Sequence, residues 1–272
     1  MEHFPAFQAD ALDSFSLINA WWLANLSLLA YHPSNQIERL LNQAGFTLID
    51  SVLVKNTFCF LAKSDQCFVL LFRGTQFGNK HDAKTDLNFP LIEYELNSKV
   101  HRGFLNAFEM VWDSIQNCIS ACTDHMPFYI SGHSLGAALA VLAHTRLKKL
   151  ISNPIQTYTF GSPRIGDQFF KQSCEQLNIN RVTLCCDLVA HLPPRALGFQ
   201  GVGKDCFIDD KYALLFDADP KTKAAIEWKA ALKYALGFPL FRKRQVSFRA
   251  LTDHSINNYV IALWNAYSLS TN

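Results

Sequence analysis

The sequence predicts an α/β fold in which a mostly parallel central sheet is flanked by helices. Continuous apolar runs, such as those at 67–72 and 128–130, are typical of strands covered on both faces. Segments with helical periodicity lie between such runs, so strands and helices alternate along the chain. The 272 residues are 49% hydrophobic, and no repeat or flexible linker divides them. We therefore expect a single domain over 1–272 with one large core.

The elements are expected in a definite order. Helices are predicted over about 11–31, 33–44, 100–122, 135–150 and 165–177, and strands over about 47–56, 57–65, 67–75, 127–131, 155–163 and 180–186. A mixed segment at about 76–99 precedes the third helix. A long, largely helical insertion is expected at about 211–250.

Composition and charge exclude several classes of protein. The net charge is +2, and only Arg242–Arg244 forms a basic run, so no nucleic-acid partner is expected. Acidic residues near the N-terminus, including Asp10, replace the Lys or Arg of a secretory signal. The uncharged run Ser14–Ile37 has about the length of a membrane span, but asparagines interrupt it, which favours a buried helix. We therefore expect a cytoplasmic protein or one exported without a Sec-type signal.

The cysteine pattern indicates neither a metal site nor a redox motif. The eight cysteines form no Cys-x-x-Cys pair, and no His lies at zinc-finger spacing from them. Several lie in apolar runs, where a thiol behaves as a small buried hydrophobe. We expect reduced core thiols, and a disulfide that uses Cys118 or Cys122 stays open. No metal or cofactor is expected.

A serine between two glycines marks the candidate site. In FYISGHSLGAALAV (128–141), an apolar strand leads into Ser134, and a helix rich in small residues follows. A serine at such a turn needs residues without bulky side chains two positions before and two positions after it, and Gly132 and Gly136 meet this need. Because functional groups gather at the carboxyl ends of parallel strands, we predict a nucleophile elbow at Ser134.

A nucleophilic serine needs a base, and the base needs an orienting acid. Of the histidines after Ser134, His144 lies in the same helix and His191 lies too near the best acid, so His254 remains. Asp187 directly follows an apolar strand and is the favoured acid. Six alternative acids lie on or beside a helix, on or after a later strand, or next to the base: Asp167, Glu175, Asp205, Asp209, Asp210 and Asp253.

These residues resemble the class 3 lipases of the α/β-hydrolase fold from about Leu17 to Tyr259. The motifs match in order, ending in a segment that contains His254: LLFRGT (70–75), TDL (85–87), VHRGF (100–104), GHSLGAALA (132–140), TFGSPRIGD (159–167) and DLVAHLPP (187–194). One such motif arises by chance in many proteins, whereas six in order do not.

The resemblance implies a serine hydrolase that cleaves lipid esters, most often acylglycerols, through an acyl-enzyme. It assigns Ser134 as nucleophile, Asp187 as orienting acid and His254 as general base. It also implies that Thr75 and Leu135 donate N–H groups to the oxyanion. Two alternatives to an acylglycerol lipase stay open: a phospholipase or lysophospholipase that acts on membrane lipids, and a catalytically silent interaction module. His101 and His133 are expected to serve packing or hydrogen bonding around the turn.

Two segments depart from the family pattern. Members commonly carry an Asp-Trp pair on a lid helix, whereas Asp82 is followed here by Ala83 within the lid-like segment 76–99. We expect weak interfacial activation, without a sharp rise in rate when a short-chain ester passes its solubility limit. The basic, partly apolar segment 221–244 is favoured as a packed accessory helix, with peripheral contact to an anionic membrane as the alternative.

Overall fold

A computed structural model describes residues 4–12, 14–75, 90–120, 122, 124–241 and 253–271. Its ten strands are β1 Thr47–Val54, β2 Thr57–Lys63, β3 Phe68–Phe72, β4 Leu91–Glu93, β5 Lys99–His101, β6 Phe128–His133, β7 Ile155–Phe160, β8 Ile179–Leu184, β9 Lys204–Ile208 and β10 Leu214–Phe216. The α-helices are α1 Leu17–Leu29, α2 Ser34–Gln43, α3 Arg102–Ser120, α4 Leu135–Leu147, α5 Gln168–Ser173, α6 Pro220–Phe241 and α7 Ile256–Thr271.

Eight of these strands form one sheet in the order β1-β2-β3-β6-β7-β8-β9-β10. The pairs from β3 through β9 are parallel, and the antiparallel pairs lie at the two edges. The predicted α/β fold with a mostly parallel central sheet is confirmed. β6 lies between β3 and β7, so its carboxyl end lies near the middle of the sheet. Near that end, Gly132 pairs with Phe72 of β3 and with Thr159 of β7.

The sheet is covered on both faces. Alternate side chains of β3 point to opposite sides, so Val69 and Leu71 pack with α1 and α7, whereas Leu70 and Phe72 pack with α3 and α4. All five residues of β3 are buried. This burial explains why the strand has a continuous apolar run instead of alternating polar and apolar residues.

Several predicted boundaries were wrong, and local capping explains two of them. The first helix begins at Leu17 rather than near residue 11, because the Ser16 hydroxyl accepts a hydrogen bond from the Asn19 N–H at 3.3 Å. The helix predicted at 165–177 is confined to α5, which begins after Asp167 caps the N–H of Phe170.

Short strands account for two further differences. The segment expected to open the third helix contributes Val100 and His101 to β5, which pairs with β4. Within the predicted insertion 211–250, β10 pairs with β9 before α6 begins. None of the helices in the described ranges is long and apolar enough to cross a membrane.

Parts of two predicted segments lie outside the described residues. These are residues 76–89 of the lid-like segment, with Asp82 and Ala83, and residues 242–250 of the insertion, with the basic run Arg242–Arg244. The lid and its weak interfacial activation therefore stay predictions.

Candidate active site

The turn between β6 and α4 holds Ser134 in a strained conformation. Its φ is +59° and its ψ is −126°, a region that costs a non-glycine residue about 1–3 kcal/mol. A Cβ on Gly132 would lie 2.3 Å from the Gly136 carbonyl oxygen, and one on Gly136 would lie 2.2 Å from the Phe72 carbonyl oxygen. Only glycine fits these two positions, which lets α4 start directly above the strand ends.

Three side chains that are distant in sequence meet at this turn. The Ser134 Oγ lies 2.8 Å from His254 Nε2, and His254 Nδ1 lies 3.0 Å from both carboxylate oxygens of Asp187. All three residues are buried. The structure thus brings the three sequence-predicted residues into one hydrogen-bonded chain.

Asp187 is held as a carboxylate. Burial alone would raise the pKa of Asp187, but the interactions with His254, the Tyr259 hydroxyl and the Val189 N–H outweigh this effect and lower it below its ordinary value. Tyr259 donates its hydroxyl to Asp187 Oδ2 at 2.6 Å, and Val189 donates its N–H to Oδ1 at 2.9 Å. An ionised Asp187 accepts the Nδ1–H of His254, which leaves the Nε2 lone pair facing Ser134.

Sequence reasoning missed Tyr259. Its ring is fully buried on α7, and the Leu184 N–H donates to its hydroxyl oxygen at 3.3 Å. Burial and the neighbouring Asp187 charge raise its pKa well above the ordinary value, so the hydroxyl keeps its proton. The available signal was a tyrosine one to two helical turns after the candidate base.

A second hydrogen-bonded chain joins the serine turn to the loop that carries His254. His133 Nε2 lies 2.6 Å from the His254 carbonyl oxygen, and the Tyr31 hydroxyl lies 2.8 Å from His133 Nδ1. Burial, followed by the nearby His254, lowers the pKa of His133 to about 3, so its ring is neutral. A carbonyl oxygen only accepts, so Nε2 carries the proton and Tyr31 donates to Nδ1.

The same tyrosine also contacts the end of β3. The Tyr31 hydroxyl accepts a hydrogen bond from the Gly74 N–H. A Cβ on Gly74 would lie only 2.2 Å from that hydroxyl and 3.1 Å from the Ser134 Cβ. Gly74 therefore lies directly alongside the serine turn, which brings the following residue, Thr75, into the neighbourhood of Ser134.

The two predicted oxyanion donors occupy suitable elements. Leu135 is the first residue of α4, where the N–H groups have no partner within the helix. Thr75 follows the end of β3 and is half-buried. Their role as donors stays a prediction.

Three further histidines within the described residues have partners outside the chain of Ser134, His254 and Asp187. His144 is buried on α4 and bonds the Thr157 hydroxyl at 2.9 Å. His191 lies 3.1 Å from Glu227 on α6. His101 stacks on Phe104, with ring centres 4.2 Å apart. Among the residues that the structure describes, no group of three or more His, Cys, Asp or Glu side chains could hold a metal ion.

Comparison with known families agrees with the sequence motifs. The family profile described as lipase (class 3) matches residues 69–197, which include Ser134 and Asp187 but not His254. A lipase from Rhizomucor miehei is 32% identical over 173 residues, which cover 59% of this chain and 47% of that protein. Secreted mono- and diacylglycerol lipase 1 from Fusarium solani is 38% identical over 115 residues, 40% of this chain and 34% of that protein. The aligned part thus spans less than half the length of these curated relatives.

Solved structures show the same fold. Lipase II from Rhizopus niveus superposes with a TM-score of 0.64 at 24% identity, over 71% of this chain and 80% of that one. The lipase from Rhizopus microsporus var. chinensis superposes with a TM-score of 0.60 at 26% identity, over 75% of this chain and 79% of that one. Residues 69–197 thus match the class 3 lipase family, and the chain shares the α/β-hydrolase fold of the solved Rhizopus lipases.

Proposed function

We propose that this single-domain protein is a serine hydrolase that cleaves carboxylic ester bonds of lipids. The observation that carries the proposal is the hydrogen-bonded chain from Ser134 through His254 to Asp187, with distances of 2.8 and 3.0 Å. A hydroxyl is a weak nucleophile at neutral pH until a base removes its proton. Here Ser134 is the nucleophile, His254 the general base and Asp187 the acid that orients the base.

The proposed reaction has two steps. His254 takes the Ser134 proton as Oγ attacks the ester carbonyl, and then returns the proton to the leaving alcohol. His254 next activates a water molecule that hydrolyses the acyl-enzyme. The ionised Asp187 stabilises the imidazolium that forms in each step.

The N–H groups of Thr75 and Leu135 are the proposed oxyanion donors. The charge on the carbonyl oxygen develops beside the serine turn, where α4 begins and the chain at Gly74 passes. Donors held in place before the reaction stabilise that charge without reorganising, and each such donor typically contributes about 2.7–4 kcal/mol to lowering the barrier.

Acylglycerols are the proposed substrates. The relatives named above are described as lipases, and one of them as a mono- and diacylglycerol lipase. A phospholipase or lysophospholipase would use the same Ser134 chemistry on a different headgroup. A silent interaction module has no need for the three aligned side chains, so the hydrogen-bonded geometry favours an enzyme.

Covalent labelling combined with a substrate panel tests this function. We expect a fluorophosphonate probe to add one phosphonyl group, mapped by mass spectrometry to Ser134, and to abolish hydrolysis in proportion. The panel compares tri-, di- and monoacylglycerols with phospholipids, and acylglycerols should give the highest kcat/KM. Faster turnover of phospholipids would favour the phospholipase, and a folded protein with neither label nor turnover would be the silent module.

We also propose that the segment 221–244 contacts an anionic membrane. Trp228 on α6 is 71% exposed, and Lys221 and Lys229 are exposed near it. An indole beside lysines is the combination that favours the boundary between headgroups and acyl chains. Ala230 is fully buried, so α6 packs on the protein through another side.

Replacing Trp228 by Ala should weaken this contact. Withdrawing part of the indole from water contributes on the order of 1.4 kcal/mol, so binding to vesicles with anionic lipid should fall by about tenfold. Sedimentation of the protein with vesicles, with and without anionic lipid, measures the change. Phe169→Ala on α5 removes another exposed aromatic ring and is the matched control. Equal sedimentation of wild type with both vesicle types would exclude the proposed contact.

A further inference from the structure

Two adjacent cysteines form the turn that leads from β8 to Asp187. The Asp187 N–H donates to the Leu184 carbonyl oxygen at 3.2 Å, which places Cys185 and Cys186 at the two central positions of a β-turn. Cys186 has a φ of +70°, whereas Cys185 is outside the left-handed region. This is the pattern of a type II turn, where glycine or asparagine is the usual third residue. A cysteine in this conformation bears backbone strain.

The two sulfur atoms face each other. Their separation is 3.1 Å, and a disulfide bond of about 2.0 Å requires them to approach by about 1 Å. Cys185 is buried, whereas Cys186 is half-buried and accessible to a small oxidant. The Cys186 sulfur also lies 3.8 Å from the Glu227 carbonyl oxygen on α6. The pair thus lies between the orienting acid and that helix.

We propose that Cys185 and Cys186 are a redox modification site that closes reversibly to a vicinal disulfide and thereby controls the position of Asp187. With a peroxide as oxidant, the Cys186 sulfur attacks one peroxide oxygen, which gives a sulfenic acid and one water. The Cys185 sulfur then displaces the hydroxyl, which forms the S–S bond and releases a second water. The two thiols lose two electrons and two protons in total, and the peroxide accepts them.

The short distance between adjacent Cα atoms makes this disulfide easy to reduce. Neighbouring Cα atoms across a trans peptide are about 3.8 Å apart, less than the roughly 4.4 Å minimum for ordinary disulfides. A bond formed under this constraint is strained, and strained disulfides are the readily reduced ones. A dithiol reductant returns both electrons and restores the open turn.

Ring closure alters the turn dihedrals immediately before Asp187. The carboxylate now lies 3.0 Å from His254 Nδ1, and a displacement of about 1 Å at a catalytic group can cost about 100-fold in rate. The effect on rate rests on the proposed function, whereas the formation of the disulfide does not. We expect kcat to fall by about tenfold to 100-fold on oxidation and to recover with reductant.

Peptide mapping tests the bond directly. Trypsin cleaves after Arg181 and Arg195, and the peptide between them contains Cys185 and Cys186 but no other cysteine. After treatment of the whole protein with hydrogen peroxide, this peptide should lose two hydrogen atoms in mass and resist thiol alkylation. Ester hydrolysis is measured on the same sample before oxidation, after oxidation and after reduction.

Two variants complete the experiment. Cys186→Asn keeps a residue that tolerates positive φ but cannot form the bond, so its activity should resist peroxide. Cys122→Ser removes another half-buried thiol on the chain and should leave the sensitivity of the wild type unchanged. A tryptic peptide that keeps both thiols after peroxide overturns the proposal, as does a disulfide that forms without a change in kcat. A chain without activity before oxidation contradicts only the proposed function, because the peptide mass still decides the bond.

Discussion

Replacing Ser134 by Ala is expected to lower kcat for ester hydrolysis by a factor of about 10⁴–10⁶, because the acyl-enzyme can no longer form. The hydroxyl contacts His254 Nε2 at 2.8 Å, and one such hydrogen bond typically contributes about 1 kcal/mol to stability. The free energy of unfolding should therefore change by no more than about 1 kcal/mol. Turnover of a chromogenic ester and a thermal melt of the same preparation measure the two effects separately.

A matched control lies on the same strand. Ser131 is also buried on β6, but its hydroxyl bonds the Ser27 hydroxyl at 3.1 Å. Ser131→Ala should cost about 1 kcal/mol of stability and retain kcat. Full esterase turnover by Ser134→Ala would exclude Ser134 as the nucleophile.

Asp187→Asn is expected to reduce kcat by about 10⁴-fold with little change in substrate binding. An asparagine side chain has no charge to stabilise the imidazolium, and its amide can donate to Nδ1, which would place the proton of His254 on Nε2. The base would then present a donor to the Ser134 hydroxyl instead of a lone pair. Steady-state kinetics on a soluble ester measure kcat and KM separately.

Tyr259→Phe tests how much the hydrogen bond from Tyr259 contributes when the charge of Asp187 is retained. The phenylalanine removes the 2.6 Å hydrogen bond but leaves the carboxylate ionised, so a loss of about 10- to 100-fold is expected. A Tyr259→Phe variant that loses as much kcat as Asp187→Asn would show that orientation, rather than charge, dominates. An Asp187→Asn variant that retains a tenth of the wild-type turnover would contradict the proposed acid.

The lowered pKa of Asp187 also predicts how the contribution of this residue to stability changes with pH. Because its folded-state pKa lies below the unfolded value, its carboxylate stabilises the fold above the unfolded pKa. That contribution disappears as the pH falls through the folded pKa. In urea titrations, the stability difference between wild type and Asp187→Asn should therefore shrink as the pH is lowered through this range.

Local features of the chain were sufficient to predict much of the fold. The apolar run of β3 and the strand–serine–helix pattern around Ser134 depend on residues close in sequence, and both elements occur where they were expected. The sequence also predicted Asp187 directly after a strand, and in the structure a two-residue turn separates it from β8, which ends at Leu184. Boundaries such as the start of α1 at Leu17 depended on a single capping contact, which periodicity does not reveal.

The sequence by itself determined the alternating strands and helices, and it narrowed the candidate base to His254 by elimination. Only the tertiary structure decided that the His254 ring reaches Ser134, that Tyr259 bonds Asp187, and that Tyr31 and His133 join the serine turn to the histidine loop. Periodicity and turn chemistry are properties of neighbouring residues, so a sequence displays them directly. Hydrogen bonds between residues separated by 72 to 121 positions depend on strand order and on how helices pack across the sheet, which no local pattern encodes.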